Sequence, residues 1–396
     1  MLQHPRTNNC GITHSSIVTC LGYGRSSHLL ALREGRSGLS NNHGLDLQFD
    51  CYLGKVPDVE GIGFPSRVAD FDNRATRLAL AALVTDGFEQ AVLKIRNRWG
   101  ADRCGIVLGT STSGVEMLEK TYKAIPENGA MPEDYSTRHH DNLHAITTFL
   151  QEYLGFTGPG YTISTACSSS AKALVDACQL VESGLCDAVL TGGVDSLCMT
   201  SLYGFESLEL MSKVPCRPCD ASRDGLSIGE AAAFMIVERD ADGYLKLSGY
   251  GESSDGTSMS TPPPDGSGAS QAIKAALERA NLTPNDIDYV NLHGTATIVN
   301  DSTEAKAVET AVYRSVPASS VKGAIGHTLG AAGAAEAVFC QYALEDEVIP
   351  GNTGLIDLDP ALLPNVSESC RNGQLRHVIS NSFGFGGSNC ALVLSR

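Results

Sequence analysis

The sequence predicts an α/β protein built from two similar layered halves. Short uncharged runs of strand type alternate with segments whose apolar residues recur at helical spacing, all along the chain. Glycine is abundant, at 41 of 396 residues, and aromatics make up only 6%, which suits close packing with many short turns. The polar turn Asp240-Ala-Asp-Gly243 interrupts two strand runs and divides the chain into residues 1–243 and 244–396. No sequence repeat links the halves, so any duplication is one of architecture.

Residues 1–9 read as a loose polar tail. Ile12–Leu21 is a first strand and Ser26–Glu34 a helix stopped by Gly35. Residues 40–66, rich in Gly, Asp and Asn, are irregular. Phe71–Arg98 places Leu78, Ala82, Phe88, Val92 and Ile95 at helical spacing and is a helix or helix pair. Cys104–Leu108 is a buried strand, followed by the small-residue turn Gly109–Gly114 and a helix through Tyr122. A polar insertion covers 123–142, and Ala145–Leu154 is a helix. Tyr161–Thr165 is a short buried strand, then a helix follows the serines. Asp187–Gly193 reads as strand then turn, and Gly229–Glu238 as a strand. In the second half Leu245–Tyr250 is a strand, Ala269–Ala280 a helix, Ile287–Leu292 a strand and Ser302–Tyr313 a helix. Val321–Leu329 is a loop before the Ala/Gly-rich helix Gly330–Leu344. The chain closes with a strand His377–Ser380, a glycine-rich turn Asn381–Asn389 and a last strand Cys390–Leu394.

The net charge of −16 argues against nucleic acid or an anionic membrane as partner. No apolar run is long enough to span a bilayer, and the first residues lack a signal-peptide core, so a cytoplasmic protein is expected. The 13 cysteines form no regular framework and read as reduced thiols. Cys216-Arg-Pro-Cys219 is the only CxxC; without a second pair or nearby histidines it does not read as a zinc site.

The chemistry concentrates in turns. In Tyr161-Thr-Ile-Ser-Thr-Ala-Cys-Ser-Ser-Ser170, Cys167 sits where a strand breaks and a helix begins. Unpaired N–H groups and the positive helix end favour a thiolate there, and the thiolate is the nucleophile. Taken alone, a small buried cysteine in a packed turn fits equally well. His293 heads His-Gly-Thr-Ala-Thr297 at the carboxyl end of a strand, where α/β sites form. Lys322 and His327 share Val321-Lys-Gly-Ala-Ile-Gly-His-Thr-Leu-Gly330, and Phe385 is flanked by glycines that permit movement. Each has a bland alternative: a backbone-bonded histidine, a surface lysine, a core phenylalanine. Together, one cysteine and two histidines suit an acyl thioester and hydrogen bonding to a developing enolate, as in decarboxylation of a malonyl thioester.

This set resembles the β-ketoacyl-[acyl carrier protein] synthases of the bacterial I/II type, in the thiolase-like superfamily. The matching pieces are Thr165–Ser170, Arg217-Pro with Arg223-Asp-Gly225 and Gly229-Glu230, His293–Thr297 with Asn300, Asp301 and Glu304, Lys322–Gly333, and Asn381–Asn389. The resemblance implies a thiolase-like fold, two similar halves in αβαβα layers. It implies that Cys167 accepts the acyl chain, that His293 and His327 serve decarboxylation and condensation, and that Lys322 acts with the acidic residues Glu304 and Asp301. Thr295 and Thr297 would bind the pantetheine arm and Phe385 would be the gate. Thr112 would lie in the turn that shapes the acyl pocket. The backbone N–H groups of Cys167 and Phe385 would form the oxyanion hole. No cofactor is required, but Asn291, Glu336, Ser380 and Asn381 resemble the ligands of a structural sodium or potassium ion. Partners would be acyl- and malonyl-loaded carrier protein and a second chain, in a homodimer or a heterodimer with a paralogue.

The chain also departs from the family pattern. Cys219 replaces an aromatic and Ile298 a proline. Asp70 and Glu209 are acidic where carrier docking is usually basic, so docking is expected on Arg67, Arg74, Arg77 or Lys213. These differences point to a specialised synthase, for polyketide or aryl polyene assembly. Two rival readings are a degradative thiolase, which needs a second cysteine in the last turn, and a non-acylating chain-length-factor-like subunit, which usually lacks the first.

Overall fold

The computed structural model describes residues 10–41, 44–125, 129–133 and 135–396. The tail 1–9 and part of the polar insertion lie outside them. The first sheet holds β1 (Cys10–Thr19), β2 (Gly22–Tyr23), β3 (Cys104–Gly109), β4 (Gly160–Ile163), β5 (Ala188–Asp195) and β6 (Ala231–Arg239), in the order β2-β1-β6-β5-β3-β4. The second holds β7 (Lys246–Ser254), β8 (Tyr289–Asn291), β9 (Ala318–Ser319), β10 (His377–Gly384) and β11 (Ser388–Ser395), in the order β7-β11-β10-β8-β9.

Setting aside the short β2, the two orders are the same. In each half the first strand pairs antiparallel with the last, the last antiparallel with the fourth, and the fourth, second and third run parallel. The duplication is therefore one of topology without sequence repetition.

Helices α1 (Arg74–Val84), α2 (Phe88–Trp99) and α3 (Ala145–Leu154) cover the outer face of the first sheet through Leu78, Leu80, Phe88, Phe149 and Leu150. Helices α4 (Ser169–Glu182), α5 (Ser267–Ala280), α6 (Ile298–Ala311) and α7 (Ala332–Asp346) follow. α5 and α6 cover the outer face of the second sheet. α4 and α7 lie between the sheets, where Leu174, Val175, Val338 and Phe339 join one core with residues of both sheets. α7 is buried almost throughout, which explains its lack of a polar face. A Cβ on Gly333 would sit 2.7 Å from the Ala171 Cβ, so glycine is what lets these two helices touch. The result is five layers, αβαβα.

Several local expectations change in the folded chain. The helix pair breaks at Asp86 and Gly87, both with left-handed φ. β5 does not turn at its glycines: it continues to Asp195, and Gly192 is needed because a Cβ there would lie 2.0 Å from the Ala233 carbonyl oxygen. Asn381–Gly384 is strand, and only Phe385–Gly387 turns. Lys322–Ile325 forms one helical turn inside the expected loop. β4 is half-buried, not buried, because it is the edge of its sheet.

Candidate active site

Equivalent turns of the two halves converge on one point. Cys167 lies between the third strand and the inner helix of the first half, and His327 lies between the third strand and the inner helix of the second. His293 follows β8, in the place that the Gly109–Gly114 turn holds after β3. The Sγ of Cys167 is 3.0 Å from Nε2 of His327. One ligand atom from each of Cys167, His293 and His327 lies within 4.8 Å of the others, and all three residues are buried.

The serines explain the shape of the cysteine turn. Ala166 has a left-handed φ of 54°. Ser168 Oγ donates to the Thr165 carbonyl at 2.9 Å and Ser169 Oγ to the Ala166 carbonyl at 2.6 Å, bracing the bend just ahead of α4. The thiol does not ionise more easily here, contrary to the expectation from a helix start. Burial pushes it up to about 11, and the Phe385 N–H and the Lys322 ammonium offset that only in part.

Both histidines are oriented by donors on the far side of the ring. The Leu329 N–H donates to Nδ1 of His327 at 3.3 Å, and Nζ of Lys322 lies 3.4 Å from Nδ1 of His293. In each neutral ring Nε2 then carries the proton. Burial, then the nearby Lys322 charge, holds both imidazoles well below the usual histidine value, so both are neutral near pH 7. Two N–H donors therefore sit beside the thiol.

Lys322 is not on the surface: it is 1% exposed and bonds the Glu336 carboxylate and the His293 carbonyl. Glu304 accepts from the N–H groups of His293 and Gly294 at 2.8 Å and from Asn381 at 3.0 Å, fixing the turn that carries His293. Burial pushes Glu304 and Glu336 up to about 7. Asp301 accepts from Cys219 N and Ala296 N and faces Arg223 at 3.6 Å. It is thus a brace for the same turn.

A cavity of about 370 Å³ runs from the three residues to solvent, between residues 205–210, 255–263 and 295–300. Thr295 and Thr297 line it with hydroxyls 2.9 Å apart, and Phe385 lines it with its ring 5.7 Å from that of Phe205. Thr112 does not line this cavity. Its hydroxyl and N–H instead bond Asp195, at 2.7 and 2.8 Å. Asp195 also accepts from Thr110 Oγ1 and Ser111 N. Sequence reading missed Asp195; its signal was a lone carboxylate ending an apolar strand. Thr112→Val is expected to cost ~1–3 kcal/mol by removing one donor from a buried carboxylate, read as a lower unfolding midpoint. An unchanged midpoint would show that the other donors satisfy Asp195.

Asn291, Glu336, Ser380 and Asn381 are all buried, on β8, α7 and β10, and Asn291 pairs with Ser380 across the two strands. Asn291 Oδ1, Glu336 Oε2 and Asn381 Oδ1 have no hydrogen-bond partner among the described residues. An all-oxygen set with unpaired acceptors fits a hard cation. Cys216 and Cys219 face different clusters, Cys216 donating to the Lys322 carbonyl at 3.3 Å. The expected docking arginines each have a partner within the chain, and Arg67 is exposed as well. Arg67 bonds the Tyr153 carbonyl, Arg74 binds Glu230, and Arg77 pairs with Asp72.

Residues 49–243 match the model of the β-ketoacyl synthase N-terminal domain, and residues 244–355 that of its C-terminal domain. A 3-oxoacyl-[acyl-carrier-protein] synthase 2 from Rhizobium meliloti is 40% identical over 74% of this chain and 74% of its own length. The same-named protein of Vibrio harveyi is 30% identical over 97% of this chain and 98% of its length. A ketosynthase solved in complex with its chain length factor, from Xenorhabdus doucetiae, superposes with a TM-score of 0.89 at 34% identity, covering 100% of both chains. No helix among the described residues is long and apolar enough to cross a membrane. A thiol and two imidazole donors on the turns of a duplicated five-layer fold thus come with domain and full-length matches of one kind, and the chain belongs to the β-ketoacyl synthase family.

Proposed function

We propose that the chain performs a decarboxylative Claisen condensation, joining an acyl group held on Cys167 to a malonyl unit on a carrier protein. The observation that carries this reading is the meeting of Cys167 Sγ with two neutral imidazoles at the floor of one cavity. In the first half-reaction Cys167 attacks the carrier thioester, the new thioester forms, and the thiol proton leaves with the carrier thiol. The Phe385 N–H and the Lys322 charge stabilise the thiolate that forms on the way. In the second, the malonyl unit loses carbon dioxide. The electron pair becomes an enolate whose oxygen takes the Nε2–H bonds of His293 and His327. The enolate carbon attacks the acyl-cysteine carbonyl, the N–H groups of Cys167 and Phe385 hold the oxyanion, and the cysteine thiolate departs. The 3-oxoacyl product stays on the carrier.

The rival roles fit less well. A thiolase needs a second cysteine at the cavity, whereas Cys390 is fully buried in β11 and does not line it. A non-acylating subunit has no use for a thiol 3.0 Å from an imidazole. Incubation with acyl-loaded carrier protein and peptide mapping tests the reading: an acyl group on Cys167 supports it, and none overturns it.

A second chain completes the assembly. β4 ends the first sheet, and Gly160–Ala166 has no charge to protect that edge. Strand pairing across β4 is expected to give a dimer by light scattering at micromolar concentration, with an identical or a paralogous chain. A stable monomer contradicts this. A sodium or potassium ion on Asn291, Glu336, Ser380 and Asn381 would neutralise the unpaired oxygens and hold the Glu336 carboxylate against Lys322. The thermal midpoint is expected to be higher in sodium or potassium chloride than in choline chloride at equal ionic strength. Equal midpoints would show that no such ion binds.

A further inference from the structure

Asp195 takes no part in the chemistry above, yet it lies between the turns that carry Cys167 and His327. It ends β5, is wholly buried and does not line the cavity. Its carboxylate accepts from the Thr110 hydroxyl at 2.7 Å, the Ser111 N–H at 2.9 Å, and the Thr112 N–H and hydroxyl at 2.8 and 2.7 Å. The Thr110 hydroxyl in turn accepts from the Ser113 N–H at 2.9 Å. A buried carboxylate bound by donors of three successive residues holds their turn in one arrangement.

That turn reaches both sides of the site. Ser111 Oγ donates to the Ala166 carbonyl at 3.3 Å, and Ala166, with its left-handed φ, directly precedes Cys167. On the other side the backbone of Gly330 presses on the same pair. A Cβ there would lie 2.7 Å from Oδ2 of Asp195 and 2.7 Å from the Ser111 nitrogen. Gly330 follows Leu329, whose φ is 54° and whose N–H orients His327. Left-handed residues other than glycine persist where their surroundings over-determine them. Here Asp195 and the turn it holds are part of those surroundings for Ala166 and Leu329 alike.

We infer that Asp195 is a positioning residue: through Ser111 and Gly330 it sets the Cys167 turn against the His327 turn. It thereby keeps Sγ of Cys167 and Nε2 of His327 at their 3.0 Å contact. Its consequence for catalysis rests on the condensation reading, whereas its effect on the thiol does not.

The test compares Asp195→Asn and Ser111→Ala with the parent protein. Asparagine keeps the size of aspartate but turns an NH2 group toward donors. Alkylation of Cys167 by iodoacetamide, located by peptide mapping, reads the setting of the thiol without any carrier protein. It should slow at least fivefold in both variants. The single-turnover rate of Cys167 acylation by acyl carrier protein should fall at least tenfold in Asp195→Asn. The carrier concentration that half-saturates it should stay within twofold, since a displaced nucleophile costs rate rather than binding. Ser111→Ala breaks only the link to Cys167, so it should slow acylation and leave malonyl decarboxylation within twofold of the parent. If Asp195→Asn does not fold, the Ser111→Ala result decides by itself. Parent rates of alkylation and acylation in the folded variants overturn the proposal. So does a loss of rate matched by the unfolded fraction in circular dichroism, which would make Asp195 a stabilising residue only. Equal slowing of acylation and decarboxylation in Ser111→Ala overturns it as well. A parent protein whose Cys167 alkylates but accepts no acyl group overturns the condensation reading instead, and is seen separately by mass spectrometry.

Discussion

Cys167→Ala is expected to leave no detectable acyl-enzyme and to lower condensation by at least ~10³-fold, the scale on which removal of a covalent nucleophile acts. No other thiol can take over. Among the cysteines of the described residues Cys167 alone lines the cavity. The fold should persist, because the turn is held by Ser168 and Ser169 rather than by the sulfur. Intact-protein mass spectrometry after incubation with acyl carrier protein, with circular dichroism as the check on folding, decides it. A folded Cys167→Ala variant that still condenses would end the assignment of the nucleophile.

His293→Ala and His327→Ala are expected to slow malonyl decarboxylation by ~10²–10³ each, the usual effect of deleting one donor to a developing oxyanion, ~3–4 kcal/mol. Acylation of Cys167 should survive in both, and more fully in His293→Ala, because only His327 bonds the sulfur directly. The two losses should not add, since both donors serve one oxygen. Carbon dioxide release from malonyl carrier protein, followed beside the acyl-enzyme yield, separates the steps. Decarboxylation at the parent rate in either variant would make that histidine a structural one, packed against its neighbour at 5.2 Å.

Much of the chemistry was legible in one dimension. The nucleophile turn and the His293 turn each follow a strand run, and small residues beside them and beside the Lys322–His327 segment announce close packing. The alternation of strands and helices was equally plain, because periodicity is a local property of the chain. Strand ends were less so. Gly192 and Gly193 look like a turn until the neighbouring strand is seen pressing on them.

The sequence by itself determined which residues carry reactive groups, that strands and helices alternate through two halves, and that the protein is strongly acidic. Only the tertiary structure decided what those groups do. Cys167 sits at a helix start, yet burial raises its thiol, because the loss of water outweighs the helix end and Lys322. Thr112 lies in the expected turn, yet its hydroxyl turns to Asp195, a residue 83 positions away. Arg74 and Arg77 look free in the sequence and are held by Glu230 and Asp72 in the fold. Even the match between Cys167 and His327, equivalent turns of two unlike sequences, exists only once the sheets are stacked. Spacing along the chain sets local structure, but desolvation and pairing depend on neighbours that are distant in sequence and become neighbours only on folding.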